Sequence, residues 1–181
     1  MILVNRKNVF FSFISLAVCW VLICLTGSCK TYSFKDVSIP PEVKTIRIGF
    51  IENRARYVDP LLSPQLTNKF KLKIASQTKL IQIQTDNADY DITAYVSDYT
   101  VSTAGVSNQE ASINRLTVSI HMALKNRLND QKMGTPDFET DISRIFDFSS
   151  KQTVNEAEAT LTPQIVDQMT DDMFNRLFSN W

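Results

Sequence analysis

Residues 112 to 128 read SINRLTVSIHMALKNRL, and their alternation limits the chain to few folds. The even positions Leu116, Val118, Ile120, Met122 and Leu124 are apolar. The odd positions Arg115, Thr117, Ser119, His121, Lys125 and Arg127 are polar, with Ala123 the exception. A period of two held this long fits an extended strand with one face in a core and the other in water; on a helix the same residues would scatter around the whole circumference. Such a strand needs neighbouring strands and a second layer to cover its apolar side.

The rest of the chain supplies both. Ile46, Ile48 and Phe50 alternate with Thr45, Arg47 and Gly49 and predict a strand. In YDITAYVSDYTVST, Tyr90, Ile92, Ala94 and Val96 share a face. The apolar parity then moves to Tyr99 and Val101, which predicts a bulge near Ser97 and Asp98. Phe138, Ile142, Phe146 and Phe148 share a face in a last strand, and the short apolar stretch from Lys79 to Gln84 precedes these patterns. Gly134 and Pro136 in NDQKMGTP mark a hairpin connection.

Two helices complete the set. Ser63-Pro64 has the form of a helix start, Ser as cap and Pro in the first turn, followed by Leu66, Phe70 and Ile74 at spacing four with Lys69, Lys71, Lys73 and Gln77 solvated. Leu161, Ile165, Met169, Met173 and Leu177 predict a second helix over roughly Asn155 to Ser179 that begins before Pro163 and tolerates it near its N-terminal end. The order strand, helix, strands, helix implies an α+β, two-layer sandwich: a mixed, mostly antiparallel sheet of four to five strands with two helices on one face. The other face stays wet and carries Arg115, His121, Lys125 and Arg127.

The N-terminal segment stands outside this fold. Arg6 and Lys7 precede an apolar run from Val9 to Leu25 that ends in Thr26, Gly27 and Ser28, the layout of a secretion signal over residues 1–28. The competing reading, an uncleaved anchor, approaches the lower limit of spanning length, but the run contains Ser12 and Ser15 and lacks a basic stop-transfer cluster. Cys29 directly after the small residues resembles the lipobox of bacterial lipoproteins, with Thr26 where a leucine is usual and Leu25 one position further out. Cys24 fits less well, because Val21, Leu22 and Ile23 are bulky. Cleavage after Ser28 removes Cys19 and Cys24 and leaves a single cysteine; acylation of Cys29 explains it, and a free thiol is the alternative. Residues 29–42 then form a lipidated tether ending in Pro40-Pro41, and 43–181 a single domain.

Composition narrows the function. Loss of Arg6 and Lys7 leaves 17 basic against 19 acidic residues, a mature net charge of −2, which argues against nucleic acid as a partner. The single histidine, His121, has no HExxH or CxxC around it, no GxSxG is present, and four glycines leave no phosphate-cradling loop. No catalytic residue, metal site or cofactor is implied. Asp171-Asp172 reads as a solvated helix face.

Four stretches, YSF (32–34), SIPPEVKTIRIGFIENRA (38–55), NRLTVSI (114–120) and FSNW (178–181), together resemble the LptE-type lipopolysaccharide-assembly lipoproteins in their Bacteroidetes-like form. The resemblance implies an outer-membrane lipoprotein facing the periplasm. It implies a plug inside the lumen of an LptD-like β-barrel, aid to that barrel's assembly, and receipt of lipopolysaccharide. Because lipopolysaccharide is anionic, the candidate contacts are Arg54, Arg56, Arg115, Lys125 and Arg127, arginine offering paired planar donors. An envelope scaffold or ligand carrier serving a different machine is the alternative.

Overall fold

A computed structural model of the chain describes residues 39–107, 110–128 and 135–178. The leader, Cys29, the C-terminal residues 179–181 and most of the NDQKMGTP connection lie outside them. In chain order the elements are β1 (Thr45–Ile48), β2 (Glu52–Asn53), α1 (Leu62–Gln77), β3 (Ile81–Gln82), β4 (Tyr90–Ser107), β5 (Glu110–Asn126), β6 (Phe138–Ser149) and α2 (Val154–Phe178). They form one mixed sheet in the order β3-β1-β4-β5-β6, with the short β2 also paired to β4. β1 runs parallel to β3 and β4, and β2 parallel to β4, while β4, β5 and β6 are antiparallel. Both helices pack on one face, which is the expected α+β sandwich.

The alternation in residues 112–128 sets this layering. Leu116, Val118, Ile120, Met122 and Leu124 are all buried and face Phe70, Ile74, Ile165, Met169 and Met173 across the sandwich core. Burying each such side chain contributes roughly 1.5–3 kcal/mol, so the strand is held by its apolar parity. The β4 bulge falls between Val96 and Asp98, and it moves Tyr99 onto the face that Val96 left, opposite Val118. Tyr99 is buried accordingly.

Three local expectations are corrected. Phe50 does not continue the inward face of β1, being 58% exposed, and Ile51 takes the buried place. The strand ends at Ile48: the Gly49 amide donates to the Ile92 carbonyl at 2.9 Å and the Ile51 amide to Thr67 Oγ1 at 3.0 Å, which slips the parity by one. Ser63 is not the cap of α1, which begins at Leu62. Asp59 instead fixes the entry turn, Oδ1 receiving the Leu61 amide at 2.8 Å while Oδ2 receives the Thr162 hydroxyl at 2.9 Å. The bond from Leu61 shapes the turn before the helix, which has no side-chain cap of its own, and Ser63 Oγ is buried without a partner among the described residues. Third, Asp171 and Asp172 are not merely solvated: Asp171 pairs with Lys73 at 2.8 Å and Asp172 receives Arg144 at 2.5 and 2.7 Å, tying α2 to α1 and to β6.

The two helices lie parallel, since Lys69 meets Asp167 and, one turn later, Lys73 meets Asp171, both at 2.8 Å. α2 starts with a reciprocal cap. Thr153 Oγ1 receives the Glu156 amide at 3.3 Å, and Glu156 Oε2 receives the Thr153 amide at 2.8 Å. Pro163 sits inside this helix on its exposed side, so the carbonyl it leaves without an amide donor can reach water.

Candidate functional site

The face of the sheet opposite the helices is the candidate site. Odd positions of β5 point to it, as do Asp91, Thr93 and Tyr95 of β4 before the bulge and Asp98 and Thr100 after it. Register then decides which charges meet. Arg115 lies opposite Asp147 and donates Nε and Nη2 to its two oxygens at 2.9 and 3.2 Å. That hydrogen bond first, and the charge with it, raise the guanidinium pKa and hold the Asp147 carboxyl below its ordinary value. His121 lies opposite Asp141, with Nδ1 2.8 Å from Oδ1, and its other ring nitrogen is 3.8 Å from Glu139.

Asp91 holds the centre of the next cluster. Its side chain is 6% exposed, yet it stands on the wet face because Arg47 from β1 and Arg127 from the end of β5 close over it. Arg47 Nε and Nη2 donate to Oδ1 and Oδ2 at 2.8 and 2.6 Å, and Arg127 Nη2 to Oδ2 at 2.5 Å. The hydrogen bond from Arg47 depresses the Asp91 carboxyl most; burial works against it and Arg127 adds to it. Arg47 also reaches the exposed Asp86.

Further along, Arg54 lies over the Tyr95 ring at 4.3 Å and pairs with Glu52 at 2.9 Å. Tyr95 in turn meets the His121 ring at a tilt of 32°, with 5.1 Å between ring centroids. An Arg54, Tyr95, His121, Asp141 row therefore crosses β2, β4, β5 and β6. Ala123, the small residue in the polar series, sits between Thr93 and Glu139 and leaves a depression of about 520 Å³, rimmed by Asp91, Lys125, Asp137 and Phe138.

Of the five basic residues singled out from the sequence, the fold brings Arg54, Arg115, Lys125 and Arg127 to this face or its edge. Arg54, Arg115 and Arg127 already hold carboxylates. Lys125 and Arg56 are exposed and make no ion pair among the described residues. The acids that pair with the basic residues of this face, Asp91 and Asp147 with arginines and Asp141 with His121, escaped sequence reasoning because only cross-strand register puts them opposite those partners. The one available signal was their shared parity on neighbouring strands.

Fold and site together define a two-layer α+β domain that presents a broad polar sheet face, its charges mostly cross-linked between strands, and buries its other face under two helices. Among solved structures it is similar to a minor lipoprotein from Acinetobacter baumannii (14% identity, 77% of this chain and 97% of that one, TM-score 0.47). It is also similar to a protein from Xanthomonas campestris (12%, 76% and 85%, TM-score 0.50) and to the rare lipoprotein B from Shewanella oneidensis (12%, 72% and 89%, TM-score 0.41). Only the Xanthomonas protein reaches a TM-score of 0.50, and at 12% identity that likeness speaks to the fold alone. None of the curated proteins matches the sequence. The family model for LptE, lipopolysaccharide-assembly, matches residues 43–177, nearly the whole described domain. The chain belongs to that lipopolysaccharide-assembly family.

Proposed function

We propose that the protein is an outer-membrane lipoprotein that seats as a plug in an LptD-like β-barrel, supports assembly of that barrel, and meets lipopolysaccharide on its way to the cell surface. The observation that carries this reading is the match of residues 43–177 to the lipopolysaccharide-assembly family. The polar sheet face supports it physically, because the lumen of a large barrel is polar and a plug must present hydrogen-bonding groups to it. Cross-strand pairing of Arg115 with Asp147, and of Arg127 and Arg47 with Asp91, makes that face stiff. A rigid insert orders few side chains on docking.

Contact with lipopolysaccharide falls to Arg54, Arg56, Arg115, Lys125 and Arg127, with Lys125 and Arg56 leading because their charges are not already engaged. The domain works by binding and holds its place through Cys29, acylated after cleavage behind Ser28. Each methylene of an acyl chain contributes about 0.8 kcal/mol, so two or more chains suffice for stable attachment. Affinity purification of the tagged protein from detergent-solubilised outer membrane, followed by mass spectrometry, tests the reading. A large barrel recovered in stoichiometric amount is expected. Recovery without one, together with unchanged surface lipopolysaccharide on depletion, would point to a different envelope machine.

A further inference from the structure

At the C-terminal end of α1, where the chain enters the described domain, an apolar groove of about 520 Å³ opens between residues 39–44 and 77–81. Pro40, Pro41, Val43 and Ile81 line it, and Ile81 is largely exposed although it pairs with Thr45 at the edge of the sheet. Lys44 and Lys79 stand on its rim, both exposed and without an ion pair among the described residues. The half-buried Asp89 spends its Oδ2 on the amides of Lys44 and Thr45 at 2.9 and 2.8 Å and attracts the Lys44 charge from there, and Glu42 is the one acid within residues 39–44 and 77–81. The groove is therefore apolar at its centre and basic at its margin, the arrangement that suits an interface with anionic lipid.

Its place along the chain names the occupant. Nine residues lie between Cys29 and Ile39, ten Cα–Cα steps with a reach of at most about 35 Å when extended. An acylated Cys29 keeps this end of the domain near the bilayer, whereas Leu61 lies at the other end of a 16-residue helix, roughly 24 Å away. We infer that the groove docks on the phospholipid leaflet that holds the anchor, with Pro41 and Ile81 entering the headgroup zone and Lys44 and Lys79 meeting lipid phosphates. The inference rests on the lipid anchor at Cys29. In the anchored protein before it seats in a barrel, docking here would point the β4–β5 hairpin away from the bilayer.

The test uses the acylated protein purified from a diderm host, carrying Ile81→Cys or Leu61→Cys labelled with an environment-sensitive fluorophore and reconstituted into phosphatidylglycerol-containing vesicles with nitroxide-bearing lipids. The label at position 81 is expected to shift to the blue and to lose at least about half its emission to the nitroxides, and the label at 61 to stay unaffected. Lys44→Glu with Lys79→Glu should reverse the first effect, as should purely zwitterionic vesicles. Equal quenching at 81 and 61 overturns the docking while leaving the anchor intact. A protein that fails to float with the vesicles overturns the anchor, and the docking with it.

Discussion

Replacing Asp91 with asparagine tests the physical account of the sheet face directly. The change keeps shape and one acceptor oxygen but removes the negative charge that two arginines share. Three charge-assisted hydrogen bonds, from Arg47 Nε, Arg47 Nη2 and Arg127 Nη2, lose their ionic character; such bonds contribute about 1.5–3 kcal/mol each when intact. Two effects reduce the loss. Arg47 and Arg127 are 28% and 33% exposed and recover some hydration, and Arg47 keeps Asp86, which at 81% exposure contributes little. The net cost is then about 3 kcal/mol, at the low end of the figure for breaking a fully buried pair. For a domain of this size that corresponds to a fall of roughly 10 °C in Tm.

The pH dependence follows with a definite sign. The folded Asp91 carboxyl titrates below its unfolded value, chiefly because of the Arg47 hydrogen bond. Its contribution is complete above the unfolded carboxylate pKa of about 3.9 and vanishes as pH falls through the lower folded value. Thermal melts by far-ultraviolet circular dichroism should therefore show wild type and Asp91→Asn far apart at pH 7 and converging in acid below about pH 4. The double variant Asp91→Asn/Arg127→Met should lose less than the sum of its parts, by about 1 kcal/mol or more. A Tm for Asp91→Asn within about 2 °C of wild type at pH 7 would refute the reasoning.

Thr170 is fully buried and its hydroxyl has no partner among the described residues, so the near-isosteric Thr170→Val should stabilise the protein by about 1 kcal/mol in urea titrations. Thr153→Ala breaks the reciprocal cap of α2 and should destabilise by about 1 kcal/mol in the same assay. Lys125→Glu should weaken lipopolysaccharide binding severalfold, about 1 kcal/mol, with Tm unchanged, whereas Arg127→Ala should lower both; the two are separated by measuring binding and melting on the same samples. Cys29→Ala should move the protein from the membrane to the soluble periplasmic fraction, and mass spectrometry of the mature N-terminal peptide should find Cys29 acylated in the wild type.

The tertiary structure also explains how the polar face avoids being a liability. β6 is a twelve-residue edge strand, the kind of element that invites unwanted pairing. Charged residues Glu139, Asp141, Arg144 and Asp147 occupy it, and Arg144 reaches across to Asp172 on α2, so the edge is both charged and tied down.

The layering, the bulge near Ser97 and the two amphipathic helices were legible in the sequence, because period-2 and period-4 apolar patterns report directly which side of an element faces oil. Helix starts and strand ends were less so: Ser63-Pro64 and Phe50 looked right locally, and lost to an aspartate that finds Thr162 a hundred residues away and to a one-residue slip after Ile48. The basic residues of the candidate site could be named from sequence, but which of them are neutralised could not. That depends on register between strands, and Asp91, Asp141 and Asp147 meet their partners only because β4 and β6 align with β5 as they do. Periodicity is local and needs only the chain; pairing of charges is set by long-range alignment, which only the folded sheet supplies.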